Sequence, residues 1–158
     1  MDNKLSFEEV LSREERLVFT NVGDSMMPLI REGRDVLIIE KRDLSRLKRY
    51  DVVLFRRQNV KGRGEYVLHR ILKILPDGNF CIVGDNCIEK ETITPSQILG
   101  VLSGLSRDGK PFNMNGLLYK LYVVFWCAPY HLRSFVLRGK WFLSRVLSKI
   151  AHKLGIRR

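Results

Sequence analysis

The sequence predicts a mainly β domain with a short N-terminal helix and a basic, amphipathic, helical C-terminal extension. Short β-branched runs separated by turn-forming residues fill the chain between residues 35 and 102. After Leu132, apolar residues recur at spacings of three and four. All acidic residues precede Pro111, whereas nine basic residues and no acidic ones follow from there. We therefore predict a domain of residues 1–110 and a helical tail of residues 111–158.

The N-terminal element is predicted as a helix from about Ser6 to Val18. Ser6 can cap it, and Glu8 and Glu9 suit the positive end of the helix dipole. Val10, Leu11 and Leu17 supply an apolar stripe.

Five strands are expected after the turn-rich segment 22–28, because each run is β-branched and bounded by Gly, Asp, Asn or Pro. They are residues 35–40, 51–56, 65–73, 79–83 and 98–102. Residues 76–79 and 107–110 have the composition of tight turns. The pattern predicts a mainly antiparallel sheet or barrel.

The tail is predicted to form one basic amphipathic helix from Leu132 to Leu154, closed by Gly155. Its apolar face and its lysines and arginines suit adsorption to an anionic membrane surface. The alternative is that the apolar face packs on the domain's own sheet. We expect no nucleic-acid partner, since so wide an apolar stripe would gain nothing from phosphates.

Net charge is +11, and the first 110 residues hold 19 basic and 17 acidic residues, so the tail carries most of the excess. The N-terminus has no apolar run of the kind found in secretory signals. We expect peripheral membrane association through the tail, by default on the cytoplasmic side, with reduced cysteines. Cys81 and Cys87 lack the spacing of a zinc pair, so we expect core cysteines, no metal and no cofactor.

The sharpest local signal is Gly23-Asp24-Ser25-Met26-Met27-Pro28. A serine hydroxyl becomes a nucleophile only when a base accepts its proton and donors stabilise the oxyanion. A tight turn can lift Ser25 clear of the sheet and leave backbone N–H groups free. By itself, this segment is more typical of a polar turn between the N-terminal helix and the first strand.

A candidate base lies on the strand Tyr66-Val-Leu-His69-Arg70-Ile71. Side chains alternate along a strand, so His69 shares a face with Val67 and Ile71. Partial burial there would keep the imidazole neutral near pH 7 and able to accept a proton. The alternative is a core histidine satisfied by backbone.

A carboxylate that orients the imidazole would complete a triad. Asp85, in Gly84-Asp85-Asn86, is the first candidate and Glu91 the second. The alternative for Asp85 is a turn in which it bonds its own backbone.

Three segments occur in a fixed order: the Ser25 box through Pro28, the His69 strand and Gly84-Asp85-Asn86. In this order they resemble the signal peptidase I and LexA-type serine peptidases, which share one β-rich fold. The resemblance covers residues 21–104. Most bacterial relatives use a lysine base, and Lys73 lies beyond the matching position. Histidine there is similar to the endoplasmic-reticulum and archaeal branch.

The resemblance implies a serine endopeptidase that cleaves peptide or protein precursors after small side chains. Ser25 would attack the scissile carbonyl, His69 would take its proton, and the Ser25 N–H would contribute to an oxyanion hole. Two alternatives belong to other classes. One is a LexA-like regulator that cleaves itself or dimerises, and the other is a catalytically idle module that binds a membrane or a partner.

Overall fold

The computed structural model describes residues 5–58 and 64–153. A single antiparallel sheet dominates it, which confirms the mainly β prediction. Its eight strands are β1 (Arg16–Thr20), β2 (Asp35–Glu40), β3 (Val52–Gln58), β4 (Gly64–Ile74), β5 (Phe80–Val83), β6 (Glu91–Ile93), β7 (Ile98–Arg107) and β8 (Lys110–Phe112). The strand order is β1-β2-β7-β3-β4-β5-β6, and β8 pairs with the C-terminal end of β7, Leu105 to Arg107.

Both faces of the central strands are buried. Along β3, Val52 and Leu54 belong to one apolar cluster, whereas Val53 and Phe55 belong to a second. This alternation is the period-2 pattern of a strand covered on both sides. The first cluster also contains Met26, and β4 lies beside β3 with His69 opposite Val53. The core therefore fixes the two chain segments that carry Ser25 and His69.

The N-terminal helix, α1, spans Phe7–Glu14 and is shorter than predicted. Ser6 caps it as expected, in a capping box in which Glu9 reaches back to the Ser6 backbone. The prediction that the helix continues to Val18 was wrong. Glu15 adopts a left-handed conformation with φ of 56°, which ends the helix, and β1 begins one residue later.

The five predicted strands are all present as β2, β3, β4, β5 and β7, and β7 runs five residues longer than expected. The predicted turns at 76–79 and 107–110 also occur, with positive φ at Gly78 and Gly109. Strands β1, β6 and β8 were not predicted. Because β8 runs from Lys110 to Phe112, the predicted boundary between residues 110 and 111 falls inside a strand.

The helical part of the tail begins with helix α2 (Leu117–Tyr122), which continues as a π-helical turn (Val123–Cys127). Helix α3 (Tyr130–Lys153) follows, and the predicted end of this helix at Leu154 and its cap at Gly155 lie outside the described residues. Within the described ranges, no helix is both long and apolar enough to cross a bilayer.

The apolar stripe of α3 faces away from the sheet. Only its first two turns touch the domain closely, through Arg133, Ser134 and Leu137, all of which are buried. At about 100° per residue, the predicted apolar stripe lies on the opposite side of the helix. Seven large side chains of the stripe are roughly half to three-quarters exposed: Leu132, Phe135, Val136, Phe142, Leu143, Leu147 and Ile150. The alternative that this face packs on the domain's own sheet is therefore wrong for the described residues.

Candidate active site

Ser25 lies in the loop between β1 and β2, on a turn held down by its neighbours. Gly23 has φ of 93°, a conformation that glycine adopts without strain, and Met27 N–H donates to the Asp24 carbonyl at 3.0 Å. Met26, the next residue after Ser25, is completely buried in the core. Ser25 itself is partly exposed. The loop therefore presents the serine at the surface while the following methionine anchors it.

His69 lies on β4 and is buried, with 5% of its surface exposed. The ring packs near Phe55, with centroids 5.9 Å apart. Burial lowers the pKa of His69, and the nearby Arg57 lowers it further, whereas the Glu91 and Asp85 carboxylates oppose this shift. The imidazole is therefore neutral at pH 7, as the sequence predicts, and can accept a proton.

Ser25 and His69 line the same groove, which has a volume of about 380 Å³. Gly84 lies between them. A Cβ built on Gly84 would come within 2.6 Å of the Ser25 carbonyl oxygen and within 3.0 Å of His69 Nε2. No side chain fits in that space, so the glycine allows the two residues to approach each other. The Gly-Asp-Asn segment thus has a steric role at the site that the sequence analysis did not assign to Gly84.

The backbone around Ser25 is oriented by the same segment. The Ser25 carbonyl accepts a hydrogen bond from Asn86 N–H at 2.8 Å. Among the described residues, neither the Ser25 N–H nor its hydroxyl is in a hydrogen bond within the protein. Within the described residues, no protein acceptor therefore competes for the Ser25 N–H. The structure thus shows no hydrogen bond between the Ser25 hydroxyl and the His69 ring; in known catalytic pairs this bond often forms only in the substrate complex.

The carboxylate next to the imidazole belongs to Glu91 and not to Asp85. Glu91 Oε1 lies 3.3 Å from His69 Nδ1, at ion-pair distance but without hydrogen-bond alignment. Arg57 holds Glu91 in place with a hydrogen bond of 2.8 Å. The first-ranked expectation, that Asp85 orients the ring, is corrected by this geometry in favour of the second candidate.

Asp85 is completely buried and pairs with Arg70 instead. Arg70 Nε and Nη2 donate to its two carboxylate oxygens at 2.8 and 2.6 Å. Tyr122 O–H donates to the same carboxylate, and Trp126 Nε1 donates to the Asp85 backbone carbonyl. Arg133 approaches to 3.6 Å. A carboxylate so fully occupied serves to tie the tail to the sheet.

Cys87 also lines the groove, which sequence reasoning missed by assigning it to the core. Its sulfur lies 3.9 Å from the Ser25 carbonyl oxygen. Burial raises the pKa of the Cys87 thiol, and nearby carboxylates raise it further. The thiol is therefore protonated at neutral pH and is a poor competitor for the nucleophile's role. Within the part of the chain that the structure describes, no group of three or more metal-binding side chains is arranged around an ion site.

The lowered pKa of His69 gives a pH prediction. If His69 is the base, kcat/KM should stay high below the ordinary histidine pKa of about 6.5 and fall only when pH drops through the lowered value. Because Glu91 opposes the lowering, Glu91→Gln should move this acid limb to still lower pH. Glu89→Gln, in the same groove, is the control and should leave the limb in place. An acid limb that does not respond to Glu91→Gln would contradict the assignment of Glu91.

Comparison of the chain with protein-family models, with curated proteins and with solved structures returned no match in any of the three.

Proposed function

We propose that the chain is a serine endopeptidase of the signal-peptidase type, in which Ser25 is the nucleophile and His69 the general base. One observation carries the proposal: a partly exposed serine and a buried, neutral histidine line one groove, and a Cβ on Gly84 would meet both the Ser25 carbonyl oxygen and His69 Nε2. We also propose that the sheet is a variant of the LexA and signal-peptidase fold. The order of the three motifs along the chain supports this.

The mechanism follows from the positions of these groups. Nε2 is the nitrogen of His69 that faces Gly84 and Ser25, so it accepts the Ser25 proton as the hydroxyl attacks the scissile carbonyl. The Ser25 N–H stabilises the oxyanion, and the protonated His69 then gives its proton to the leaving amine. Water, activated in the same way, hydrolyses the acyl-enzyme. Glu91 stabilises the imidazolium that forms between these steps.

An extended peptide fits the groove as an added strand. β5 pairs with β4 only from Arg70 onward, so residues 66–69 of β4 have β3 on one side and the groove on the other. A substrate strand can hydrogen-bond to such an edge, with main-chain contacts giving affinity. Its scissile carbonyl would then lie between the β4 edge and Ser25.

The groove should prefer cationic peptides. Four carboxylates line it, those of Asp24, Glu65, Glu89 and Glu91, whereas Arg57 is its sole Lys or Arg side chain among the lining residues described. Arg57 pairs with Glu65 and Glu91, so negative charge remains in excess. Lysine residues flanking the small residues at the cut would be attracted to this surface.

A matched peptide pair tests the activity and this preference together. Two internally quenched peptides share small residues at the centre and carry either lysine or glutamate flanks. We expect cleavage of both, with kcat/KM about tenfold or more higher for the lysine peptide at low salt and a smaller difference at high salt. Mass spectrometry of the protein in the same samples shows whether it also cuts itself. Cleavage of neither peptide, with or without self-cleavage, would contradict the proposal.

The membrane is the proposed location of this activity. Besides the stripe of α3, a second exposed apolar face is present on α2 and the π-helical turn, which precede α3 in the chain; it is formed by Leu117, Leu118, Val124 and Phe125. The tail has no acidic residue to repel anionic headgroups. An amphipathic helix with this charge and an apolar face turned to solvent is typical of interfacial binding. We therefore propose peripheral association with an anionic membrane through the tail, near membrane-borne precursors.

A further inference from the structure

A second pocket lies at the junction of the sheet and the tail, and we call it the junction pocket. It has a volume of about 670 Å³, within the range typical of ligand sites. The end of β4 and the start of β5 form one wall, and the first turn of α3 with the two residues before it forms another. It shares no lining residue with the catalytic groove. The function proposed above does not use it.

All charged side chains among the described residues that line the junction pocket are basic. Arg49, Lys73 and Lys90 line it together with His131, and no Asp or Glu does. In the described part of the chain, no carboxylate lies within 4.0 Å of any of these cations. Three permanent positive charges are therefore brought together without a neutralising partner. Such a cluster favours an anion.

Two of these cations are held in place by aromatic rings. The guanidinium of Arg49 lies 4.6 Å from the centre of the Tyr50 ring, and the ammonium of Lys90 lies 4.2 Å from the centre of the Tyr130 ring. A cation over an aromatic face is positioned without losing its charge. Tyr130 is itself fixed, because its hydroxyl donates to the Ile88 carbonyl. The site is thus partly preorganised.

The rest of the pocket is apolar, which restricts the class of anion. Leu72, Ile74, Pro129 and Leu132 contribute hydrocarbon to the lining. A small inorganic anion would leave this surface in water, whereas an amphiphile would cover it. The chemistry matches a phosphate diester or monoester that is attached to an apolar group.

Leu132 connects the pocket to the membrane-facing stripe. It lines the pocket, is 63% exposed, and is the first residue of the stripe that continues through Phe135 and Val136. A lipid whose acyl chains lie in the bilayer beside this stripe could place its phosphate among Lys73, Lys90 and Arg49. The pocket therefore opens where the headgroup layer would be.

We propose that the junction pocket binds the headgroup of an anionic phospholipid. This rests on the proposed membrane association, and it adds a defined lipid site to it. Binding there orients the domain on the membrane, because Lys73 and Cys81 of the sheet line the pocket at the end of α3 where Leu132 begins the apolar stripe. The bound lipid then attaches the sheet directly to the membrane, to which the tail binds only by adsorption.

Vesicle binding of two charge-matched variants tests the proposal. The pocket variant is Lys73→Gln with Lys90→Gln, and the control is Arg145→Gln with Lys149→Gln on the exposed polar side of α3; all four side chains are exposed, so both variants should fold. Loss of any two charges near the surface should weaken binding to phosphatidylglycerol-containing vesicles by roughly 30-fold. The pocket variant should lose about tenfold more, since it also loses direct contacts to phosphate. Equal losses would overturn the site.

Cys81 provides a second measurement on the unmodified protein, because it lines the junction pocket and is half-buried. A short-chain phosphatidylglycerol below its micelle concentration should slow alkylation of Cys81 several-fold and leave Cys87, in the groove, unaffected. Inorganic phosphate at matched ionic strength should protect neither. If inorganic phosphate protects Cys81 and the lipid does not, the pocket binds free phosphate instead. If neither the lipid nor inorganic phosphate protects Cys81, the proposal is overturned.

These outcomes are distinguishable from failure of the proposed function. Peptide cleavage in solution requires no membrane and reports on Ser25 and His69 alone. If the wild-type chain binds no vesicles of any composition, membrane association and the lipid site both fall while the peptidase proposal stands. If it binds vesicles but the two variants behave alike, only the lipid site falls.

Discussion

Ser25→Ala is expected to lower kcat/KM for a peptide substrate by at least about 1,000-fold, and His69→Ala by a comparable factor. In the proposed mechanism the hydroxyl supplies the bond-forming oxygen, and the one cysteine among the described lining residues, Cys87, stays protonated because burial raises the pKa of its thiol. His69 is the sole histidine lining the groove among the described residues. The double variant should be hardly worse than either single one, since the two residues act as a unit.

The controls must show that each variant is still folded. Ser25 is partly exposed, so Ser25→Ala should leave the melting temperature nearly unchanged. His69 is buried, and its truncation leaves a cavity, so His69→Gln should be measured beside His69→Ala. Unchanged turnover in a folded variant of either residue would contradict the mechanism. Circular dichroism of each variant shows which case applies.

Asp85→Asn is expected to destabilise the fold by about 3–5 kcal/mol, the largest stability effect that the structure indicates. The substitution removes the negative charge that Arg70 and Arg133 share, and it leaves two buried guanidinium groups without a counterion. Urea unfolding monitored by circular dichroism measures the change. If Asp85 acted on His69 instead, the variant would unfold at nearly the wild-type urea concentration and lose activity.

An exposed ion pair provides the matched control for Asp85→Asn. Glu8 pairs with Arg56 at 3.0 Å on the surface, and Glu8→Gln should cost only about 0–1 kcal/mol. Both substitutions replace a carboxylate by an amide of the same shape, so the difference between them reports the effect of burial. Equal effects of the two substitutions would contradict the anchoring role of Asp85.

The tail should respond to the same substitution. Tyr122 and Trp126 of the tail donate to Asp85, and Arg133 of α3 approaches it. Weakening this network should therefore loosen the tail before the sheet unfolds. Hydrogen exchange of the α2 amides in Asp85→Asn, compared with those of β3, would detect this order.

Much of the sheet could be predicted because its central strands carry unambiguous local patterns. The β-branched run of residues 35–40 and the turn at Gly78 needed no tertiary information. β1 was missed because Ser6 and Glu9 give a strong helix start, whereas nothing local marks Glu15 as a left-handed end. β6 and β8 have three residues each, and β8 contains Pro111, so neither has a pattern of its own.

The site was partly predictable for a similar reason. Ser25 and His69 stand out by residue type and by the order of the motifs, and the structure places both in one groove. Choosing between Asp85 and Glu91 required tertiary structure, because Asp85 is directed by the long-range partner Arg70. Arg70 follows His69 on β4 and is almost completely buried. Arginine is seldom buried, so its residue type alone would place it at the surface. The groove position of Cys87 likewise depends on the packing of Gly84.

The most direct measurement of the central claim is covalent labelling of Ser25 by an acylating or phosphonylating serine probe. The account predicts a single adduct, located by mass spectrometry on the peptide that contains Ser25, and labelling slowed by at least about 100-fold in His69→Ala. Absence of the adduct in the folded wild-type chain, or labelling that is equally fast without His69, would contradict it.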